Sequence, residues 1–322
     1  MRAFKNILFF VLLLVILTGI SIQTEKAMIK NKDYVQTRNK NIYQIRREPE
    51  NRIDMVMIGD SLSYTSVSPM ELWEDQGIAS YIGGQPGQNI QEAYHMLKTI
   101  LKKQSPKLVI LETNTLYRDM SGVKGLKNML EEWGNYHIPL FRGHDIWKSF
   151  LTGKKYTEES YQGFSFRCEV TPYKKGNYMK KSGNIEEIPE RSAIYMGKIR
   201  KLCLKNNVRL LLVSTPSPLN YTYSRHNGIK KYAKEYSLEY LDMNLDLNKI
   251  DINWKTDSLD GGDHLNFLGA QKVTKYLEKY LEKHHKLPDH RKDKGYMPWR
   301  SMNAKYQKEA EKNMKKMLGK TG

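Results

Sequence analysis

The sequence predicts an α/β domain, a three-layer arrangement with a parallel sheet and helices on both faces, preceded by an N-terminal membrane anchor helix. Three observations carry that expectation. Short apolar, β-branched runs alternate with segments of helical periodicity between about residues 53 and 285. Turns bearing glycine, serine or asparagine follow directly after three of those runs, where an open parallel sheet keeps its functional loops. The first residues join two basic side chains to an unbroken apolar run.

The elements follow in chain order. Arg2 and Lys5 precede the apolar run Ile7–Leu17, which continues weakly through Ile22. Its length falls between a signal-peptide core and a full span of roughly 17–25 residues. Gly19-Ile20-Ser21 fits a small-x-small cleavage pattern only loosely, and there is no lipobox cysteine. An uncleaved anchor over residues 1–22 is therefore favoured over a cleaved signal. The basic flank should stay inside and the remainder outside. Residues 23–52 are polar and read as a stalk. Strands are expected at Ile53–Ile58, Ala79–Ile82, Leu108–Leu111, Val208–Val213 and Leu238–Asp242. Helices are expected at Pro69–Gly77, Ile90–Lys103, Ser192–Asn206, His226–Tyr236 and Phe267–His284. Residues 118–190 are rich in Tyr, Trp, Gly and Lys, break the rhythm, and read as an insert. Residues 286–322 read as a basic tail in which Asn303–Leu318 can form a helix. Such a charge run is usually a solvated face, with attachment to an anionic surface the sharper alternative.

The chain carries 53 Lys+Arg against 35 Asp+Glu, a formal net charge of +18. A cytoplasmic protein this basic would suggest nucleic acid, but the exported topology excludes that partner. Two cysteines, Cys168 and Cys203, do not make a disulfide framework. Cys203 sits in a helical pattern and reads as packing. His284, His285 and His290 lack metal-ligand spacing, so neither a metal nor a cofactor is expected.

Four short motifs carry chemistry. Gly59-Asp60-Ser61-Leu62-Ser63 follows the first strand and can project the Ser61 hydroxyl into a crevice. Gly83-Gly84-Gln85-Pro86-Gly87-Gln88-Asn89 follows the second strand and opens a helix, so its backbone N–H groups suit a developing oxyanion. Leu111-Glu112-Thr113-Asn114 follows the third and offers a side-chain amide to the same charge. Asp260-Gly261-Gly262-Asp263-His264-Leu265-Asn266 precedes the last helix. There a histidine can take the serine proton while an acid fixes its tautomer. Each alone is an ordinary turn or helix cap.

In the order Ser, Gly, Asn, His, the four motifs resemble the SGNH/GDSL hydrolase superfamily, over roughly residues 53–285. The resemblance implies a flavodoxin-like sheet, Ser61 as nucleophile and His264 as base. It also implies an oxyanion hole from the Ser61 and Gly87 N–H groups and the Asn114 side chain, with Gly83 and Gly84 as alternatives to Gly87. Two departures stand out. Glu112-Thr113-Asn114 replaces the usual Gly-x-Asn, and Gly261 occupies the place of the usual aspartate. Asp260 and Asp263 flank that place, and Asp260 is favoured because the glycines let it fold back.

Among superfamily members, the chain is most similar to membrane-anchored proteins that work beside membrane-bound O-acyltransferases in O-acetylating exported polysaccharides. Tyr136-His137-Ile138-Pro139-Leu140, His144-Asp145-Ile146-Trp147 and Ser214-Thr215-Pro216-Ser217-Pro218 add to that likeness. It implies an extracytoplasmic serine acyltransferase on a cell-envelope polysaccharide, supplied by a membrane-bound O-acyltransferase. An esterase acting on envelope glycan or lipid esters shares the acyl-Ser61 intermediate, and a non-catalytic envelope-binding protein is the third reading. The aromatic residues Trp133, Tyr136, Trp147, Tyr156 and Tyr161 can form a sugar platform in the insert, or core.

Overall fold

The computed structural model describes residues 2–118, 120–143, 146–156 and 160–319. His144 and Asp145, part of one phrase quoted above, lie outside them. The chain divides into two compact units, one of residues 1–47 and 120–158, the other of residues 48–119 and 159–322.

The larger unit is built on five parallel strands: β1 (Met55–Gly59), β2 (Ser80–Gly84), β3 (Leu108–Glu112), β4 (Arg209–Ser214) and β5 (Glu239–Asp242). Their order is β2-β1-β3-β4-β5, parallel throughout. β1, β2 and β3 are buried throughout, and β4 and β5 are buried towards their carboxyl ends, which explains why the central strands read as continuous apolar runs. Side chains alternate by strand geometry. Met55, Met57, Leu108, Ile110, Leu211, Val213 and Leu241 cluster with Val273, Leu277 and Leu281. Those last three belong to the long helix Phe267–His284. The intervening Val56, Ile58, Val109, Leu111 and Leu212 are equally buried and serve the opposite face. There Gly83 lies against Ile58 and against Met96 and Ile100 of the helix Ile90–Ile100. The expected α/β layers are therefore present.

Three segments differ from the sequence reading. The basic tail is folded. A helix runs over Met297–Leu318, and Tyr296, Trp299 and Tyr306 are buried. The Tyr306 hydroxyl bonds to Glu71 Oε1 and Ser68 Oγ, both at 2.9 Å. Trp299 packs 5.3 Å from Trp73. The apolar stripe is narrow and aromatic, so the surrounding lysines hid it. The insert also divides. Residues 160–189 belong to the larger unit, where Tyr161 is buried with its hydroxyl on Glu309, which makes it core and no sugar platform. Residues 120–156 belong to the smaller unit.

In the smaller unit the first helix, α1, runs unbroken over Arg2–Lys30. The segment read as a stalk folds instead, because Met28, Val35, Ile42, Tyr43 and Ile45 are buried. Among the described residues its further α-helices are Lys40–Gln44, Gly122–His137, Pro139–Gly143 and Ile146–Thr152. Gly143 lies against Met28 and Thr24. Arg142 pairs with Glu132 at 3.0 Å, both side chains being buried. Both cysteines are free thiols. Burial alone pushes Cys203 up to about 12, the behaviour of a packing thiol.

Candidate active site

The carboxyl ends of β1 and β3 bring the first parts of the site together. Gly59 closes β1, where a Cβ would sit 2.6 Å from the Glu112 side chain, so only glycine lets the two strand ends approach. Asp60 then caps a short helix, Ser61–Ser66, by accepting from Leu62 N at 3.0 Å. That cap places Ser61 at the first helical position.

Asp60 is wholly buried and does more than cap. Its Oδ2 accepts from Asn114 Nδ2 at 2.7 Å and from Arg118 Nε at 2.8 Å and Nη2 at 2.5 Å. A carboxylate out of water needs such partners. The result is a bond network joining the turn after β1 to the turn after β3, which is a 3-10 turn over Thr113–Tyr117. Asn114 is held at its other end by Arg225 Nη1, 3.2 Å from Oδ1. Arg225 in turn bonds Glu186 at 2.9 Å and the carbonyl of Asn220.

Glu112 explains the departure from Gly-x-Asn. Its side chain is buried and caps the turn by accepting from Asn114 N at 2.9 Å. Burial first, and then the Asp60 charge, raises its carboxyl well above the ordinary range. Glu112 thus serves as a scaffold for Asn114.

The remaining parts come from the loop before the last helix. Gly261 and Gly262 adopt φ of +80° and +100°, a region that favours glycine. The two turns they make fold Asp260 back onto His264. Asp260 Oδ2 lies 2.6 Å from His264 Nδ1, and Oδ1 accepts from His264 N at 2.8 Å. His264 Nε2 lies 2.7 Å from Ser61 Oγ. With the proton on Nδ1 facing Asp260, Nε2 is free to accept the serine hydroxyl proton. Asp263 Oδ2 lies 3.7 Å from the same Nδ1, too far for a hydrogen bond, and its Oδ1 accepts from Asn220 Nδ2. Ser217 Oγ donates to the Asp263 carbonyl at 2.6 Å, and Leu219 N to the Gly262 carbonyl at 3.0 Å. These bonds brace the loop from behind.

The structure therefore brings Ser61, His264 and Asp260 into one hydrogen-bonded line and turns Asp263 aside. Asn114 reaches Asp60 beside the serine. Of the glycines, Gly84 lies against the serine turn, where a Cβ would meet Ser63 Oγ and the Asp60 carbonyl. Gly87, with φ of +62°, is exposed and has open space on its Cβ side. Arg118, Arg225 and Asn220 escaped the sequence reading, since a lone arginine or asparagine in a loop carries no spacing signal. Asp260, Asp263 and His264 also present ligand atoms within 4.8 Å of one another, but His264 Nδ1 is committed to Asp260.

No protein-family model matches this chain, and no curated protein does. Among solved structures it is similar to a candidate acylhydrolase from Bacteroides fragilis, at 11% identity over 76% of this chain and 95% of that one, with a TM-score of 0.41. It is similar to an acetyl xylan esterase at 16% identity, over 70% and 99% of the two chains, with a TM-score of 0.38. A lipase/acylhydrolase from Enterococcus faecalis is 12% identical over 73% and 99%, with a TM-score of 0.36. These likenesses are distant, and the chemistry rests on the side-chain geometry.

Proposed function

We propose that this chain is a serine acyl-transfer enzyme of the SGNH type, which O-acetylates a cell-envelope polysaccharide through an acyl-Ser61 intermediate. The observation that carries the reading is the Ser61–His264–Asp260 line, with contacts of 2.7 and 2.6 Å. In the first half-reaction Ser61 Oγ attacks the donor carbonyl while His264 Nε2 takes its proton. Asp260 holds the ring and stabilises the imidazolium. The tetrahedral oxyanion is received by the Ser61 N–H and an Asn114 amide hydrogen, with Gly87 N–H as the third donor. Collapse expels the donor's leaving group, which takes the proton from His264. In the second half-reaction an acceptor hydroxyl gives its proton to His264, attacks acyl-Ser61, and regenerates the serine.

The apolar N-terminal helix supports placing this chemistry outside the membrane. On that reading a membrane-bound O-acyltransferase supplies the acyl group, since the donor pool is cytoplasmic, and the anchor keeps the domain near it. Esterase action is the second reading, favoured by the exposure of the Asp260 side chain at 41%, which leaves the site open to water.

Two measurements test the proposal. Ser61→Ala should abolish labelling by a serine-reactive phosphonate and lower ester turnover by roughly 10⁴–10⁶-fold. Deleting the gene should lower acylation of the envelope polysaccharide. A rise on deletion, reversed by wild type and not by Ser61→Ala, would make the chain a deacylase.

A further inference from the structure

The smaller unit carries an apolar surface apart from its first helix. In the helix Gly122–His137, Val123, Leu126, Leu130 and Trp133 recur at spacings that place them on one face. All four are exposed, Val123 at 87% and Leu130 at 64%. Phe141, Trp147, Phe150 and Leu151 are exposed as well. Lys124, Lys127, Lys154 and Lys155 border these side chains in sequence and are exposed. A soluble surface rarely leaves so many large apolar groups in water.

The first helix says what covers them. From Phe4 to Ile20 its large side chains are exposed all round, and the segment is apolar enough to cross a bilayer. The stretch Phe4–Ile22 spans about 28 Å at roughly 1.5 Å per residue, close to a hydrocarbon core. The same helix begins to pack where that stretch ends. Ser21 Oγ accepts from Leu140 N at 3.0 Å, Thr24 and Met28 lie against Gly143, and Glu25 pairs with Arg46. Gly134 meets Phe141, which ties the helix Gly122–His137 to the same level. The C-terminal end of the apolar face is therefore tied to the end of the apolar span. Aromatic and aliphatic groups rimmed by lysine are the composition of an interfacial helix.

We propose that the helices Gly122–His137, Pro139–Gly143 and Ile146–Thr152 form a second membrane contact, an interfacial element whose Val123-Leu126-Leu130-Trp133 face lies in the headgroup region of the bilayer that the first helix crosses. The occupant of the face is lipid, and the lysines favour an anionic leaflet. This inference stands independently of the acyl-transfer reading.

The full-length chain reconstituted in vesicles of phosphatidylcholine and phosphatidylglycerol tests it. Trp133→Phe and Trp147→Phe variants identify the emission of each indole among the five tryptophans. Both emissions should be blue-shifted, lose intensity when the lipid carries bromine high on its acyl chains, and resist aqueous iodide. Iodide quenching with no response to brominated lipid would overturn the proposal. Shielding from both quenchers would also overturn it, because protein rather than lipid would then cover the face. Leu130→Glu should raise iodide quenching of Trp133. Hydrolysis of a small soluble ester by each variant reports that the larger unit is intact.

Discussion

Replacing Asp260 by alanine tests the relay where the chain offers two acids. The structure gives Asp260 two bonds to His264, one to the ring at 2.6 Å and one to the backbone N–H at 2.8 Å. Hydrogen bonds to a charged group contribute about 1.5–3 kcal/mol each. The ring bond gains strength as the imidazolium forms, and the backbone bond fixes where the ring stands. Their loss together should raise the barrier by roughly 3–5 kcal/mol, lowering kcat/KM about 10²–10⁴-fold. The lower part of that range is expected because the Asp260 side chain is 41% exposed and water screens it. Asp263 stands 3.7 Å from the same nitrogen and is equally open. Its Coulomb effect at that surface is roughly 1 kcal/mol or less, about fivefold in rate. The assay is hydrolysis of p-nitrophenyl acetate, with phosphonate labelling of Ser61 and a melting curve for each variant. Asp260→Asn should remain defective, since an amide can hold the ring but cannot stabilise its charge. Equal losses for Asp263→Ala and Asp260→Ala, at equal stability, would refute the assignment of Asp260.

Further outcomes follow from the surroundings. Arg118→Ala leaves the buried Asp60 carboxylate without its cation and should cost roughly 2–4 kcal/mol in urea denaturation. Lysine should restore only part, because Asp60 takes both Nε and Nη2 of Arg118. Glu112→Gln should keep ester turnover within about threefold, since an amide oxygen can still accept from Asn114 N, whereas Glu112→Ala loses the cap on Asn114 at about 1–3 kcal/mol. Glu278 is raised to about 8, first by burial and then by the Asp75 carboxylate. The folded state then holds a proton that the unfolded chain releases near 4.5, so stability should fall as pH rises from about 4.5 to about 8. The slope is at most about 1.4 kcal/mol per pH unit. Melting temperatures across that window should flatten in Glu278→Gln, and an unchanged slope would show that another group carries it.

The sheet was legible because its central strands are buried on both faces, so apolar runs and their spacing survive in the sequence. The parts that stayed hidden share a cause. Tyr296, Trp299 and Tyr306 form a narrow buried stripe inside a strongly basic segment, and the charge masks the periodicity. Residues 31–47 meet a part of the chain far away in sequence, Tyr34 packing 4.6 Å from Phe150, so neither piece alone shows a core. The catalytic side chains are a different matter. The four motifs name Ser61, Asn114 and His264 but cannot give a distance, and the choice between Asp260 and Asp263 depends on the φ of two glycines. Arg118 and Arg225 act through single contacts and leave no pattern.

A second histidine–aspartate pair shows why geometry is needed to read the first. His226 Nδ1 lies 2.7 Å from Asp242 Oδ2, nearly as close as His264 to Asp260. Yet Asp242 is shared. It also accepts from Tyr221 OH at 2.9 Å and from Asn244 N at 2.9 Å. The network continues through Tyr240 and Ser214 to Thr113. Those bonds join the carboxyl ends of β3, β4 and β5 and hold them together. The pair at His264 differs because its outer nitrogen faces a serine, and its acid grips that one histidine twice, through the ring and through its N–H. Ser61 follows β1 and Asn114 follows β3, the two strands between which the chain reverses its order across the sheet. A crevice opens at such a point, and the Asp60–Asn114 bond spans it. The reactive oxygen and the amide proposed to receive the oxyanion are thus fixed to one scaffold before any substrate arrives, which is the arrangement acyl transfer requires.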